Sequence, residues 1–327
     1  MQKRVTATTQ VQTQVQTQVQ NTQSNKRKSR GSVDMLAKAF RLAVVALLTI
    51  ALTGILGACN QEKPADTTTP ATEEKTTQKE SEVTPVSLQI FAANSLEKAL
   101  PEIQALYTKE HPEVTFADTQ FKGSGDLVTQ LQGGAQADIF ISASKSSMDS
   151  AVENGNIDEE TRVDMFGNDL VVVTATGSDI KITSLEDIKS DEITKIAIGE
   201  PAAVPAGSYA NQSLNKIGLY SADTGKEGEY DASIAGKIVQ QSTVGNVAKT
   251  VETGDCQIGF VYSSDLYRYS GIQTVFKVPA DTHKAIVYPG AVVKDSKNAS
   301  AAADFLDFCL TNAEAQKIWS QYGFEVL

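Results

Sequence analysis

Small polar residues recur where an apolar, strand-like run gives way to a helical pattern. Phe91-Ala92-Ala93-Asn94-Ser95-Leu96 is one such junction, and Phe121-Lys122-Gly123-Ser124-Gly125-Asp126 is a second. Pro205-Ala206-Gly207-Ser208-Tyr209 opens a later helical pattern, and Ser242-Thr243-Val244-Gly245 opens another. The first amides of a helix have no intrahelical acceptor, and the helix dipole leaves that end partly positive. Such a junction can hold an anion. N-capping by Ser or Thr accounts equally well for any one of them. Four of them facing one cleft would make a site for a small anion that needs no formal counter-charge.

Each junction needs a strand to deliver it and a helix to carry it on. From Val86 onward, strands are expected at 87–92, 114–121, 138–142, 170–174, 195–199, 257–262, 272–278 and 286–293. Runs such as Leu170-Val171-Val172-Val173 are continuous and mostly β-branched, as buried strands of an α/β sheet are. Helical patterns lie at 95–110, 126–132, 146–153, 208–217 and 244–252, and two more close the chain. Pro101 falls inside the first of these, so that helix either kinks or begins there. Strands alternating with helices imply mainly parallel sheets covered on both faces, here two sheets with a cleft between them.

Enzyme signatures fail when checked. Gly225-Lys226 has Tyr220 where a phosphate-binding loop needs its first glycine, and Gly123-Ser124-Gly125 runs on to Val128 where a dinucleotide fingerprint needs its third. No G-x-S-x-G elbow occurs. His111, before Pro112, reads as a helix-end residue, and His283 lies in a polar turn. Two histidines and three cysteines leave little material for a zinc site or a disulfide framework. Cys256 and Cys309 could pair in an extracellular protein, but each sits in an apolar context, which favours two buried thiols. A net charge of −11 in 327 residues argues against a nucleic-acid partner.

The N-terminal 58 residues read as an address. A polar repeat (Val11-Gln12-Thr13-Gln14 and onward) precedes Met35, Lys38 and Arg41, and then an apolar run leads to Leu56-Gly57-Ala58-Cys59. Positive flank, apolar stretch and small residues make a secretory signal. The 17 residues from Leu42 to Ala58 are short for a membrane span. Met35 to Ala58 is a complete signal by itself, so Met35 is the expected translation start. Cys59 after Leu-Gly-Ala resembles a bacterial lipobox, whose cysteine carries lipid and becomes the first mature residue. Residues 59–85, rich in Thr, Glu, Lys and Pro, read as a tether. Beyond residue 58 the chain holds 21 basic and 39 acidic residues, net −18.

A family resemblance rests on further stretches as well. Phe91-Ala92-Ala93-Asn94-Ser95-Leu96, Ala137-Asp138-Ile139-Phe140-Ile141-Ser142-Ala143 and Gly167-Asn168-Asp169-Leu170-Val171-Val172-Val173 carry it. So do Gly199-Glu200-Pro201 with Val204-Pro205-Ala206-Gly207, Gly259-Phe260-Val261-Tyr262-Ser263-Ser264-Asp265, and Tyr322-Gly323-Phe324. In order and spacing these resemble the molybdate-binding proteins of ABC importers, over about residues 86–327. Two positions depart from that pattern. Asn94 stands where the family usually has a small apolar residue, and Gly123-Ser124-Gly125 where many members have consecutive serines.

The resemblance implies a two-lobed type II periplasmic-binding-protein fold, α/β in each lobe. One lobe would be 86–166 plus 284–327, and the other 167–283. It implies a monomeric, lipid-anchored extracytoplasmic protein that passes molybdate or tungstate to a permease and its ATPase, with no cofactor and no catalysis. The anion would be held by the hydroxyls of Ser95, Ser124 and Tyr262 and the amides of Ala206 and Val244. Alternatives are a receptor for sulfate, phosphate or a chelated metal, or a surface-anchored enzyme or adhesin. The lipobox yields the first test. Cys59→Ser should release the protein into the medium or leave it unprocessed, as fractionation and immunoblotting would show. An unchanged mature band in the membrane fraction would refute the lipid anchor.

Overall fold

The computed structural model describes residues 85–327, so the expected signal peptide, Cys59 and nearly all of the tether lie outside the described residues. Thirteen strands and eight α-helices make one pair of strands and two larger sheets. The six-stranded sheet comprises β2 (Ile90–Ala93), β4 (Gln120–Lys122), β5 (Ile139–Ile141), β6 (Val163–Gly167), β12 (Val287–Val292) and β13 (Glu325–Val326), in the order β13-β6-β12-β5-β2-β4. The five-stranded sheet comprises β7 (Leu170–Ala175), β8 (Ile196–Gly199), β9 (Ile238–Gln241), β10 (Ile258–Tyr262) and β11 (Ile272–Lys277), in the order β11-β7-β10-β8-β9. The remaining pair is β1 (Val86–Leu88) with β3 (Val114–Phe116).

The two sheets repeat one plan. In each, three neighbouring strands run parallel, β4-β2-β5 in one and β9-β8-β10 in the other. The sheets are mixed where mainly parallel ones were expected. β7 and β12, which arrive from the opposite sheet, run antiparallel to both their neighbours, and β13 runs antiparallel to β6. The chain crosses between sheets twice, through Asn168-Asp169 and through 278–286.

Side chains alternate across the first sheet as period-two strands require. Phe91, Phe140 and Ala291 pack with Leu127, Leu131 and Met148, which lie on α2 (Ser124–Gln132) and α3 (Lys145–Glu153). Ile90, Ala92, Ile139 and Ile141 face the other way, onto α1 (Ala99–Glu110), α7 (Ala299–Thr311) and α8 (Ala313–Gln321). There Trp319 is fully buried and donates its indole N–H to the Cys309 carbonyl at 3.1 Å. Cys256 and Cys309 are both free and buried. α4 (Pro205–Lys216), α5 (Ala232–Ala235) and α6 (Val244–Glu252) belong to the second sheet, and α4 is buried from Pro205 to Leu214.

Pro101 sits at the third position of α1, where its missing N–H costs nothing, and Ser95 lies before that helix in a 3-10 turn, Asn94–Leu96. His111 closes α1 with its backbone N–H on the Tyr107 carbonyl and stacks on the Tyr107 ring at 4.3 Å. β6, β9 and β13 were not expected from the sequence. β9 reads Ile-Val-Gln-Gln and is only partly buried, so it lacks the apolar run of its neighbours.

Gly207 lets α4 lie close on the end of β8: a Cβ there would strike the Gly199 carbonyl oxygen and stand 2.7 Å from its carbon. Gly207→Ala is therefore expected to cost about 1–3 kcal/mol, the usual penalty of overpacking. Gly236, with helical φ −73° and open space around it, is the control, and Gly236→Ala should be neutral or slightly stabilising. Urea denaturation of the two variants checks this. Equal midpoints would show that the helix is free to move off the strand.

Candidate functional site

The four junctions picked out by sequence all lie at the carboxyl ends of parallel strands. β2 runs into Asn94 and Ser95, β4 into Gly123 and Ser124, β8 into the turn before Pro205, and β9 into Ser242-Thr243-Val244. By sheet order β2 and β8 are equivalent, and so are β4 and β9. Carboxyl ends of strands in open α/β sheets are where ligand crevices form. Here both sheets contribute theirs to one small cavity of about 10 Å³, close to the space one water needs. Ser95, Ser124, Val244 and Tyr262 all line it, together with Asn94, Lys122 and Pro205. Ala206 does not. It is fully buried one residue further along α4, next in sequence to Val204 and Pro205, which do line the cavity.

Capping does not account for the two serines. The N-caps of their helical segments are Ala93 and Gly123, neither of which makes a side-chain cap bond. Both serines lie one or two residues inside, almost fully buried. Ser124 Oγ accepts the Ala143 N–H at 3.0 Å, and Ser95 Oγ is 2.9 Å from Tyr288 Oη. Thr243, in contrast, is a true cap: its hydroxyl accepts the Asn246 N–H at 3.0 Å. That leaves the amide of Val244, first residue of α6, with no intrahelical acceptor. Ala206, second in α4 behind Pro205, is in the same position.

Tyr262 ends β10 with its ring 1% exposed, and its hydroxyl has no hydrogen-bond partner among the described residues. Burial pushes the phenol well above its ordinary pKa, so it remains protonated and able to donate. A buried hydroxyl without a partner costs about 1–3 kcal/mol, which invites an acceptor in the cavity. No carboxylate lines this cavity, and Lys122 does. Larger concavities exist elsewhere. One of about 620 Å³ near Tyr107 is walled by Glu113, Asp304 and Asp307, which would repel an anion.

Three participants were missed by the sequence reading. Tyr288, in β12, is fully buried and bonded to Ser95. Asn168, at the first crossover, reaches Tyr288 Oη with its Nδ2 at 3.4 Å. Asn94 was noticed only as a departure from a pattern. Its Oδ1 accepts the Gly245 N–H from α6 at 3.0 Å and an Arg268 Nη2–H at 3.4 Å. Arg268 is itself held by Glu97 at 2.8 Å and by buried Asp265 at 2.6 Å. Close approach completes the contact between the two sheets' loops. Gly125 N–H donates to the Ala203 carbonyl at 2.9 Å, and a Cβ on Gly125 would stand 2.8 Å from the Ala203 Cα. The only sequence signal for Tyr288 was a polar tip in an apolar strand, which must find a partner when buried.

The chain is similar to known solute-binding proteins. Residues 88–325 match the family of bacterial extracellular solute-binding proteins. A Bacillus subtilis (strain 168) protein provisionally named an ABC transporter substrate-binding lipoprotein, YvgL, is 36% identical over 239 residues, 73% of this chain and 86% of that protein. The molybdate-binding protein ModA of Escherichia coli (strain K12) is 34% identical over 244 residues, 73% of this chain and 89% of that one. A solved substrate-binding domain of a provisionally named molybdenum ABC transporter from Clostridium difficile gives a TM-score of 0.56 at 33% identity, covering 74% of this chain and 99% of that one.

A backbone donor can be tested without touching a polar side chain. Val244→Ala keeps the N–H at the start of α6 and should leave anion binding nearly unchanged. Val244→Pro deletes it at a helix position that tolerates proline, after a Thr243 already extended at ψ 159°. Titration calorimetry with tetrahedral oxyanions should show binding weakened by about 1.5 kcal/mol or more, with thermal melting confirming an intact fold. Equal affinities for the two variants would remove Val244 from the site.

Proposed function

The chain belongs to the bacterial extracellular solute-binding protein family, and on that premise we propose that it captures molybdate or tungstate and delivers it to an ABC permease and its ATPase. It is a binding protein and not an enzyme, its place is outside the cytoplasm, and the anion is cargo and not a cofactor. The hydroxyls of Ser95, Ser124 and Tyr262 and the amides of Ala206 and Val244 are the proposed donors, and Cys59 the proposed lipid anchor. The observation that carries the reading is the buried, unpartnered Tyr262 hydroxyl, set among helix-start amides from both sheets with no carboxylate in the cavity wall.

A tetrahedral dianion without a proton is acceptor on every side. Neutral donors in a dry cavity satisfy it without a counter-charge, each bond to the charged group contributing about 1.5–3 kcal/mol. Molybdate and tungstate are nearly the same size and would bind alike. Sulfate is smaller and would not reach all the donors at once, while hydrogen phosphate brings a proton with no acceptor to meet it. Asn94, absent from the usual pattern, would help to hold the two sheets' loops together around the anion.

Calorimetric titration of the anion-free protein with molybdate, tungstate, sulfate and phosphate tests this. Molybdate and tungstate should bind at least a hundredfold tighter than sulfate, a difference of about 2.7 kcal/mol. Sulfate within tenfold of molybdate would make the protein a receptor for another oxyanion.

A further inference from the structure

We propose that Asn168 and Tyr288 are positioning residues that fix the direction of the Ser95 hydroxyl, so that its hydrogen can point only into the cavity. This rests on the reading of Ser95 as an anion donor. The chain of bonds starts at a group whose polarity is beyond doubt: the backbone N–H of Asp169 donates to Asn168 Oδ1 at 2.9 Å. A backbone N–H is only ever a donor, so Oδ1 is the acceptor end of that carboxamide. The Ser263 hydroxyl donates to the same Oδ1 at 2.9 Å. The other end, Nδ2, therefore donates, to Ser264 Oγ at 2.9 Å and to Tyr288 Oη at 3.4 Å. Either hydroxyl could donate across the 2.9 Å between Tyr288 Oη and Ser95 Oγ, and the hydrogen that Asn168 supplies to Tyr288 Oη favours the tyrosine as donor, the direction the relay assigns. Ser95 has then accepted, and its remaining hydrogen is free for a ligand.

Ser124 reaches the same condition by a shorter route. Its Oγ accepts the Ala143 backbone N–H at 3.0 Å, which likewise leaves its hydrogen free. A hydroxyl is ordinarily both donor and acceptor and can turn to suit either. Two buried serines of the cavity are each supplied with a donor from behind, one by the main chain and one by a side-chain relay. Ser95 and Ser124 thus each have one lone pair taken and a hydrogen to give, so a bare ligand oxygen suits them better than one that carries a proton. Discrimination between a fully deprotonated and a protonated oxyanion would come from this ordering of hydrogens as well as from size. Asn168 also belongs to the segment by which the chain first crosses from β6 to β7, so the relay is anchored where the two sheets are joined.

A double-mutant cycle on the full-length protein separates a relay from mere packing. Tyr288→Phe keeps the ring that lies against Tyr262 and Phe324 and removes only the oxygen. Ser95→Ala should weaken molybdate binding by about 10- to 150-fold, as loss of one bond to a charged acceptor does. Tyr288→Phe should weaken it about fivefold or more in the natural background, yet by less than twofold when Ser95 is already alanine, because its effect passes through that hydroxyl. It should also narrow the molybdate-to-phosphate affinity ratio, since a Ser95 released to rotate can accept a phosphate proton. Additive losses, or an unmoved ratio, would overturn the relay while leaving Ser95 in the site. Full binding by Ser95→Ala would instead overturn the reading of Ser95 as a donor, and the relay with it.

Discussion

On the proposed reading, everything in the site depends on one constraint: a doubly charged anion taken out of water must meet hydrogens on all sides and lone pairs on none. Burial of an unpaired charge costs several kcal/mol or more, and half-satisfied polar clusters are worse than apolar ones. Helix N-termini meet that demand because their first amides have no other use. A side-chain hydroxyl meets it when its hydrogen is turned to the anion, as Ser124 can do with its oxygen on the Ala143 N–H, and as Ser95 does on the proposed relay from Tyr288. Tyr262, with its hydroxyl bare, supplies a donor held in reserve by burial.

The fold supplies these groups in pairs because its two sheets follow the same strand plan. β2 and β4 in one, β8 and β9 in the other, end at equivalent places, so four helix starts converge from opposite directions. Neither sheet alone could surround an anion. Their loops meet through Gly125 on Ala203 and through Asn94 on Gly245. Arg268 strengthens the second contact, and burial of its partner Asp265 pushes that carboxyl up in pKa although the guanidinium beside it pulls the other way. Such a buried pair contributes little net stability but is expensive to break, which suits a contact that fixes position.

How much of this was legible depended on range along the chain. The helix starts at Ser124 and Val244 were readable because local composition decides them, and α6 begins and ends where its apolar periodicity says it should. Ser95 was singled out correctly as a junction residue, yet its turn is separated from α1, since Pro101 fits only the first turn of that helix. β6 and β9 escaped notice because short, half-polar strands are decided by their neighbours. Tyr288 and Asn168 could not have been found from spacing at all. They lie 193 and 73 residues from Ser95, and nothing local ties a tyrosine in an apolar strand to a serine in the first turn of the described residues. At Ala206 local pattern marked the helix start, and there it is the neighbouring Val204 and Pro205 that line the cavity.

Net charge and site charge are separate matters in this molecule. With 39 acidic residues beyond position 58 against 21 basic ones, that part of the chain repels anions at long range. At an ionic strength near physiological that repulsion fades within about 8 Å, so an anion at the mouth of the cleft responds chiefly to the donors nearest it. Neutral donors have a second consequence. Attraction by lysines or arginines would favour any anion in proportion to its charge, whereas oriented N–H and O–H groups favour one shape and one protonation state. A single lysine, Lys122, reaches the cavity wall, and the remaining donors there are uncharged. Selectivity for protonation state in such a site is therefore a matter of where hydrogens point, and on the proposed relay that is set by bonds made behind the hydroxyls, on the side the ligand never touches.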